Sequence, residues 1–109
     1  MIRGTTPTVI YVFPFEVDNI EKFRMYFIQG KETILTKTEE DCTFDGTEVS
    51  VTLTEEETYQ FSSKKRLESQ ARYLLSNGKV FGTKPKIIDV YETGEEAILV
   101  PAEEPVVEP

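Results

Sequence analysis

Histidine is absent from this sequence of 109 residues, and cysteine occurs once, as Cys42. Without histidine the chain lacks the commonest general base and cannot form the Ser-His or Cys-His pairs of nucleophilic catalysis. It also cannot build a zinc site from cysteine and histidine ligands. A single cysteine excludes an intrachain disulfide, so nothing in the sequence points to an oxidising compartment.

The motifs that position a nucleophile or cradle a phosphate are missing too: G-x-S-x-G, G-x-x-x-x-G-K and G-x-G-x-x-G do not occur. A glycosidase would need two carboxylates held at a fixed separation across a cleft, and a domain this small has little room for one. We therefore predict that the chain is not an enzyme. We expect no catalytic residues, no cofactor and no bound metal.

Long apolar runs are also lacking, and none approaches the ~20 residues that a membrane helix needs. The first residues contain no apolar stretch typical of a signal peptide. We expect a soluble protein that is not secreted through a signal peptide and has no membrane partner.

Basic residues are missing from the last part of the chain. From Glu92 onward there are six acidic residues and no lysine or arginine, whereas residues 1–91 carry 14 acidic and 12 basic residues, a net of −2 out of the total of −8. Binding to nucleic acid favours a basic face. The one run of basic residues, Lys64–Arg66, is more typical of a solvated turn, so we predict no nucleic-acid partner.

The pattern that is present is alternation of apolar and polar residues, which is typical of half-buried strands. It covers Thr8–Phe13, Ile20–Gln29, Glu32–Thr38, Val49–Leu53 and Leu67–Leu75, and a last strand from Lys79 to Tyr91 that Gly82 and Pro85 interrupt. Asp45-Gly46 and Asn77-Gly78 predict hairpins, the second with a type I′ turn. This pattern predicts an all-β, Ig-like antiparallel β-sandwich of about seven strands.

One short helix is expected near residues 55–61. Thr54 and Glu57 have the spacing of a capping box, in which each side chain accepts a hydrogen bond from the other residue's backbone N–H. The three glutamates of the first turn also suit the positive end of a helix. The capping role explains this acidic run without a metal or acid/base site.

The domain boundaries follow from composition. We predict a flexible N-terminus over residues 1–6, the sandwich over 7–92, and either a short strand or an extension over 93–100. Residues 101–109 contain three prolines and three glutamates and are predicted to form a disordered acidic tail.

Exposed aromatic and aliphatic residues of the strands could form a surface that binds a partner. The aromatic residues indicate an interaction surface around Tyr11 and Tyr26, and Ile10 and Val12 leave a second face of the first strand apolar. An exposed apolar face is typical of an assembling subunit. The alternative is a carbohydrate- or calcium-binding module that uses exposed aromatic residues or the loop acids Glu39, Glu40, Asp41 and Asp45. Cys42 is interpreted as a small core residue.

Several segments resemble small proteins encoded in phages and prophages of gut Firmicutes. These segments are Met1–Thr8, Phe13-Pro14-Phe15, Asp41-Cys42-Thr43, the run Val49–Thr58 and Asn77-Gly78. The resemblance covers about residues 1–91, and such proteins are similar to the N-terminal β-sandwich domains of phage baseplate and tail proteins. It implies a structural or assembly module that contacts protein, either a second copy or other phage proteins. Its location would be the virion or the bacterial host cytoplasm.

Overall fold

The computed structural model describes residues 1–94, 98 and 99. Over these residues the chain forms eight strands: Thr8–Val12 (β1), Ile20–Gln29 (β2), Glu32–Thr38 (β3), Thr43–Asp45 (β4), Glu48–Thr52 (β5), Leu67–Leu75 (β6), Val80–Gly82 (β7) and Lys86–Ile88 (β8). An α-helix, Glu55–Tyr59 (α1), connects β5 to β6, and 3₁₀ turns lie at Val17–Asn19 and Glu39–Asp41. Residues 95–97 and 100, and the predicted tail over 101–109, lie outside the described residues.

The strands form two antiparallel sheets. In the three-stranded sheet β5 lies between β1 and β4. In the five-stranded sheet β2 lies between β3 and β6, and the other side of β6 pairs with both β7 and β8. The predicted all-β antiparallel sandwich with one short helix is confirmed for the described residues, with eight strands. None of the described helices is long and apolar enough to cross a membrane.

The break predicted at Gly82 and Pro85 separates β7 from β8. β7 pairs with residues Arg72 to Leu74, and β8 pairs with residues Leu67 to Ser69, so the two short strands share one neighbour. Between them Thr83 holds the chain to β6, because its N–H donates to the Ala71 carbonyl (2.8 Å) and its hydroxyl accepts from the Ala71 N–H (2.9 Å). Both short strands lie at an edge of the five-stranded sheet.

The core lies between the two sheets and follows the alternation of the strands. Its fully buried side chains include Phe23, Met25 and Phe27 of β2, each of which contributes about 1.5–3 kcal/mol by leaving water. The other buried apolar residues are Val9, Tyr11, Phe13, Val17, Val49, Val51, Leu53, Phe61, Leu67 and Ala71. Ser69 and Ala71 are small where the opposite sheet presses in, and the Tyr11 hydroxyl lies 2.8 Å from the Ser69 hydroxyl.

The hairpin turns differ from the prediction at one place. At Asn77-Gly78 only Gly78 has a positive φ (87°), and its N–H donates to the Leu75 carbonyl. That geometry is a type I turn followed by a glycine bulge, so the predicted type I′ turn is wrong here. Two consecutive positive φ angles, the mark of a type I′ turn, occur instead at Gly30 (59°) and Lys31 (70°) between β2 and β3.

The predicted capping box at α1 is confirmed. The Glu57 N–H donates to the Thr54 hydroxyl (3.1 Å), and the Thr54 N–H donates to the Glu57 carboxylate (2.9 Å). The helix ends at Tyr59, and Phe61 leaves it to pack against Phe27, with 5.8 Å between ring centroids. The acidic run therefore begins a helix that passes the chain from one sheet to the other.

Within residues 1–6, the predicted flexible N-terminus, Ile2 and Arg3 contact the folded body. Ile2 forms a parallel bridge with Tyr91, and the Arg3 guanidinium donates to the carbonyls of Tyr59 (2.9 Å) and Phe61 (2.8 Å). Arg3 also forms an ion pair with Glu92 at 2.7 Å. The sequence contains no long-range signal for these contacts, since the partners are more than fifty residues away.

Candidate functional site

One side of the sandwich brings together the edges of both sheets. β1 is the edge of the three-stranded sheet, and β7 and β8 form an edge of the five-stranded sheet. The edges lie close together, because the Lys86 ammonium donates to the Ile10 carbonyl (3.3 Å) and lies 5.6 Å from the centre of the Tyr11 ring. We call the surface formed by β1, β7 and β8 the open flank.

The open flank carries exposed apolar side chains. All the exposed large apolar residues that lie in described strands belong to it: Ile10 (40% exposed), Val12 (68%), Val80 (61%), Phe81 (44%) and Ile87 (58%). Single exposed apolar residues are normal on a protein surface. Here they lie on three adjoining edge strands, with Ile10 and Val12 on the outer face of the three-stranded sheet and Val80 and Ile87 on that of the five-stranded sheet. Such concentration along one flank is typical of an interaction surface.

The β1 strand also has an unpaired backbone edge. The Pro7 carbonyl accepts from Leu53 and the Phe13 N–H donates to Thr47, so the odd-numbered residues between them turn their backbone groups toward β5. The N–H and carbonyl groups of Thr8, Ile10 and Val12 consequently point away from the sheet. No residue of β1 is charged, although charged or proline residues are the usual protection of an edge strand.

A shallow groove of about 410 Å³ runs beside this edge, with Pro7, Val9, Lys86 and Ile88 among its lining residues. β1 forms one wall of the groove, and β8 forms the other. An extended segment that added to β1 would lie along this groove, with its side chains against both sheets.

The two residues predicted for the interaction surface, Tyr11 and Tyr26, lie in different environments. Tyr11 is only 8% exposed and points into the core; burial raises the pKa of its hydroxyl, partly offset by hydrogen bonding to Ser69 and Thr83. Tyr11 shares the inward face of β1 with Val9, so the exposed residues of this strand are Ile10 and Val12 instead. Tyr26 is half-buried on the outer face of the five-stranded sheet, between Thr36 and Gln70.

Sequence reasoning identified Ile10 and Val12 as an apolar face but missed Val80, Phe81 and Ile87. The available signal was the interruption at Gly82 and Pro85, which placed this segment at a sheet edge. An apolar residue on an edge strand has only one neighbouring strand to cover it. That reasoning could have marked β7 and β8 as exposed.

The opposite side of the sandwich is different. We call the surface formed by β3, β4 and the 3₁₀ turn Glu39–Asp41 the closed flank. The Glu39 carboxylate accepts from the Phe23 N–H (3.0 Å) and from the Arg24 guanidinium (2.8 Å). The backbone hydrogen bond is the main cause that lowers the pKa of Glu39, with a smaller contribution from Arg24.

Two of the loop acids that motivated a calcium site, Glu39 and Asp41, accept hydrogen bonds on this closed flank. The Asp41 carboxylate accepts from the Thr38 N–H (2.9 Å) and so caps the 3₁₀ turn. Among the described residues no group of three or more acidic or cysteine side chains has an arrangement that could hold a metal ion. The calcium and carbohydrate alternatives both stay predictions.

Cys42, interpreted from the sequence as a small core residue, is half-buried next to this turn and packs against the core. Burial, and secondarily the negative charge of Asp41, raises the pKa of its thiol to about 11. A thiol in this environment is protonated at neutral pH and is a poor nucleophile.

Comparison with known proteins adds no relative: no family model matches this chain, and no curated protein matches it significantly.

Proposed function

We propose that this chain is a non-catalytic structural or assembly module that acts through protein–protein contacts made by its open flank. The observation that carries the proposal is the restriction of exposed apolar strand residues to β1, β7 and β8. The resemblance to the β-sandwich domains of phage tail and baseplate proteins supports the setting: a tail- or baseplate-associated part of a phage or prophage particle.

The physical argument rests on two properties of β1 that act together. Its outward backbone groups, apart from the Ile10 carbonyl that accepts from Lys86, are available for pairing, and its side chains Ile10 and Val12 supply apolar area beside them. Addition of a strand uses main-chain hydrogen bonds for affinity and alternate side chains for specificity. An uncharged edge strand that paired with no partner would be prone to aggregation, because its free backbone groups can pair with other chains.

The test compares lysine substitutions on the two flanks. Val12→Lys and Ile87→Lys place a charge on the open flank, and Thr36→Lys, an exposed position of β3, is the matched control on the closed flank. Each protein is examined by light scattering over a concentration series, alone and mixed with purified tail or baseplate proteins of a phage that encodes such a chain. We expect the wild type and Thr36→Lys to form the same larger species, and the open-flank variants to lose it.

Two results would contradict the proposal. One is a wild-type protein that stays monomeric at every concentration and forms no complex with the tail proteins. The other is assembly by the open-flank variants that equals that of the wild type. Thermal unfolding of each variant shows that it remains folded, since lysine at exposed positions changes stability by only about 0.5 kcal/mol.

A further inference from the structure

The outer face of the five-stranded sheet carries a pair of arginines that the function proposed above does not use. Arg24 of β2 and Arg72 of β6 are direct cross-strand partners. Side chains in this position have Cβ atoms about 4.5–5.5 Å apart, and like charges directly opposite each other are destabilising. Lys22, Leu74 and Val80 follow in the next row of the sheet, and all five residues are among those that line a shallow groove of about 220 Å³. We call these five residues the cationic patch.

The cationic patch has more positive charge than its described neighbours neutralise. The Glu39 carboxylate lies 2.8 Å from the Arg24 guanidinium and 3.9 Å from the Lys22 ammonium. Arg72 is exposed and forms no ion pair with residues 1–94, 98 or 99. Three cations therefore share one carboxylate, and two positive charges are left unmatched in the described part of the chain.

Both guanidinium groups have nitrogen atoms left for a ligand. Arg24 uses only Nη1, which donates to the Phe23 carbonyl (3.0 Å) and to the Glu39 carboxylate (2.8 Å). Its Nε and Nη2, and all three side-chain nitrogens of Arg72, form no hydrogen bond with the residues that the structure describes. Gly82, the neighbour of Arg72 on β7, has no side chain that could occupy them. Two guanidinium groups on adjoining strands can therefore donate to one oxyanion from two sides.

The number of donors and the unmatched charge favour a phosphate monoester over a carboxylate. A phosphate monoester at neutral pH has three terminal oxygens and a charge near −2. It can accept from both guanidinium groups and match both unmatched charges. A carboxylate has two oxygens and a single charge, which suits one guanidinium group. Arginine is also the side chain whose planar donors fit phosphate geometry best.

The apolar part of the patch and the size of the groove limit the rest of the ligand. Leu74 is half-buried and Val80 is 61% exposed, and the two are cross-strand partners beside the cations. A phosphate alone would leave them uncovered, whereas a ring or a short aliphatic chain would cover them. The groove of about 220 Å³ is smaller than the ~300–1,000 Å³ of pockets for drug-sized ligands. The apolar body attached to the phosphate is therefore about the size of one ring.

We propose that the cationic patch binds a small phosphate monoester, with its phosphate between Arg24 and Arg72 and its apolar body on Leu74 and Val80. Binding removes the repulsion between the two arginines and so stabilises the folded chain. Glu39 holds the Arg24 guanidinium in place through Nη1.

The first experiment compares phenyl phosphate, benzenesulfonate and benzoate, which carry the same ring and different anionic groups. Each is titrated into the full-length protein at pH 7.5 and constant ionic strength, and the shifts of the arginine Nε–H resonances are followed by NMR. We expect phenyl phosphate to bind more tightly than the other two, and more tightly than inorganic phosphate, which lacks the ring. Equal affinity for the three aromatic anions, or no shift with phenyl phosphate, would overturn the proposal.

The charge of the ligand gives a second test. The second pKa of a phosphate monoester is about 6, so phenyl phosphate loses one negative charge between pH 7.5 and pH 5. Lysine and arginine keep their charges over this range. The pKa of Glu39 is lowered, mainly by the hydrogen bond from the Phe23 N–H, and the sequence has no histidine. We expect the affinity for phenyl phosphate to fall as the pH is lowered, and that for benzenesulfonate to stay constant. The same pH dependence for both ligands would contradict binding of the dianion.

Arg72→Gln tests the residue on which the proposal depends most. It should weaken phenyl phosphate binding by about tenfold, because a hydrogen bond to a charged group is lost. Lys64→Gln removes one positive charge at an exposed position in the loop before β6 and is the matched control, with a change of less than about twofold. Equal effects of the two substitutions would show that only net charge matters, and would overturn the site.

The melting temperature of Arg72→Gln in ligand-free buffer separates binding from a structural role. It should be no lower than that of the wild type, because the substitution removes a like-charge pair. Phenyl phosphate should raise the melting temperature of the wild type and leave that of Arg72→Gln nearly unchanged. A ligand-free Arg72→Gln that melts well below the wild type would contradict the repulsion from which the site is inferred.

A labelled DNA duplex tests the competing anionic partner. DNA binding that depends on Arg72, without binding of phenyl phosphate, would assign the patch to nucleic acid and overturn the proposal. The open-flank variant Val12→Lys should bind phenyl phosphate as the wild type does, so the ligand site and the assembly function of the open flank succeed or fail separately.

Discussion

The two flanks of the sandwich differ in the groups that contact their edge strands. Each contains an edge strand from both sheets, and each edge has backbone groups with no strand beside them. On the closed flank Glu39 accepts from the N–H of Phe23 in β2, and Asp41 accepts from the N–H of Thr38 at the end of β3. On the open flank a single lysine, Lys86, contacts the β1 edge, and apolar side chains remain exposed. The two flanks therefore differ in chemistry, because carboxylates accept backbone hydrogen bonds on one and apolar side chains of edge strands are exposed on the other.

The largest difference between the flanks is expected when an aromatic residue beneath each of them is replaced by alanine. Phe23 is fully buried and packs edge-on against Phe44 of β4, with 5.8 Å between ring centroids. Phe23→Ala should lower the free energy of unfolding by about 3–5 kcal/mol, because it removes a large side chain and leaves a cavity. Urea denaturation followed by circular dichroism measures the loss.

Phe81→Ala is the matched change on the open flank. Phe81 is 44% exposed and stacks on Tyr73 at 5.9 Å, so the same substitution should cost only about 1 kcal/mol. Similar losses at the two positions would mean that the open flank is covered in the monomer, and the comparison would fail.

An effect smaller than that of Phe23→Ala is expected where β1 is fastened to the opposite sheet. Tyr11→Phe removes the hydroxyl that lies 2.8 Å from the Ser69 hydroxyl and leaves Ser69 buried without that partner. We expect a loss of about 1–2 kcal/mol, because an unsatisfied buried polar group keeps its full desolvation cost.

The double-mutant cycle with Ser69→Ala is the control for this prediction. Removal of both hydroxyls should cost less than the sum of the two single changes, since no polar group is then left unpaired. Strict additivity would show that this hydrogen bond does not hold β1 in place.

The smallest effect concerns pH and the closed flank. The hydrogen bond from Phe23 and the contact with Arg24 lower the pKa of Glu39 in the folded protein. The ionised form is favoured by folding, so its stabilisation is complete above the unfolded pKa, about 4.3, and is lost as pH falls through the folded pKa.

Glu39→Gln removes that dependence. Its melting temperature should lie below that of the wild type at pH 7, and the difference should shrink as the pH is lowered below about 4. Glu16→Gln, an exposed acid away from the turn, controls for the loss of one negative charge. A difference between Glu39→Gln and the wild type that is constant with pH would show that the ionised carboxylate does not stabilise the closed flank.

Most of the strands could be predicted from the sequence, because alternation in β2, β5 and β6 specifies an inward and an outward face. The turn at Asn77-Gly78 was harder, since the same dipeptide suits both a type I′ turn and a bulged type I turn, and the length of the loop decides between them. The type I′ geometry occurs at Gly30-Lys31, where lysine gives no such signal.

The candidate site was only partly predictable for a physical reason. Tyrosine has an apolar ring and a polar end, so composition does not say whether Tyr11 is exposed; its partner Ser69 is 58 residues away. The pairing of Arg24 with Arg72 likewise appears only once the register of β2 against β6 is known. Local patterns determine the faces of a strand, whereas sites depend on which distant strands become neighbours.

The parallel bridge between Ile2 and Tyr91 has a practical consequence. The folded span between these residues enters and leaves at one point, so it could be inserted into a surface loop of another protein without stretching that loop. A short linker could also join the two positions in a circular permutant, with new ends opened at the exposed turn Asn77-Gly78. The two sheets and both flanks would be unchanged in such a molecule.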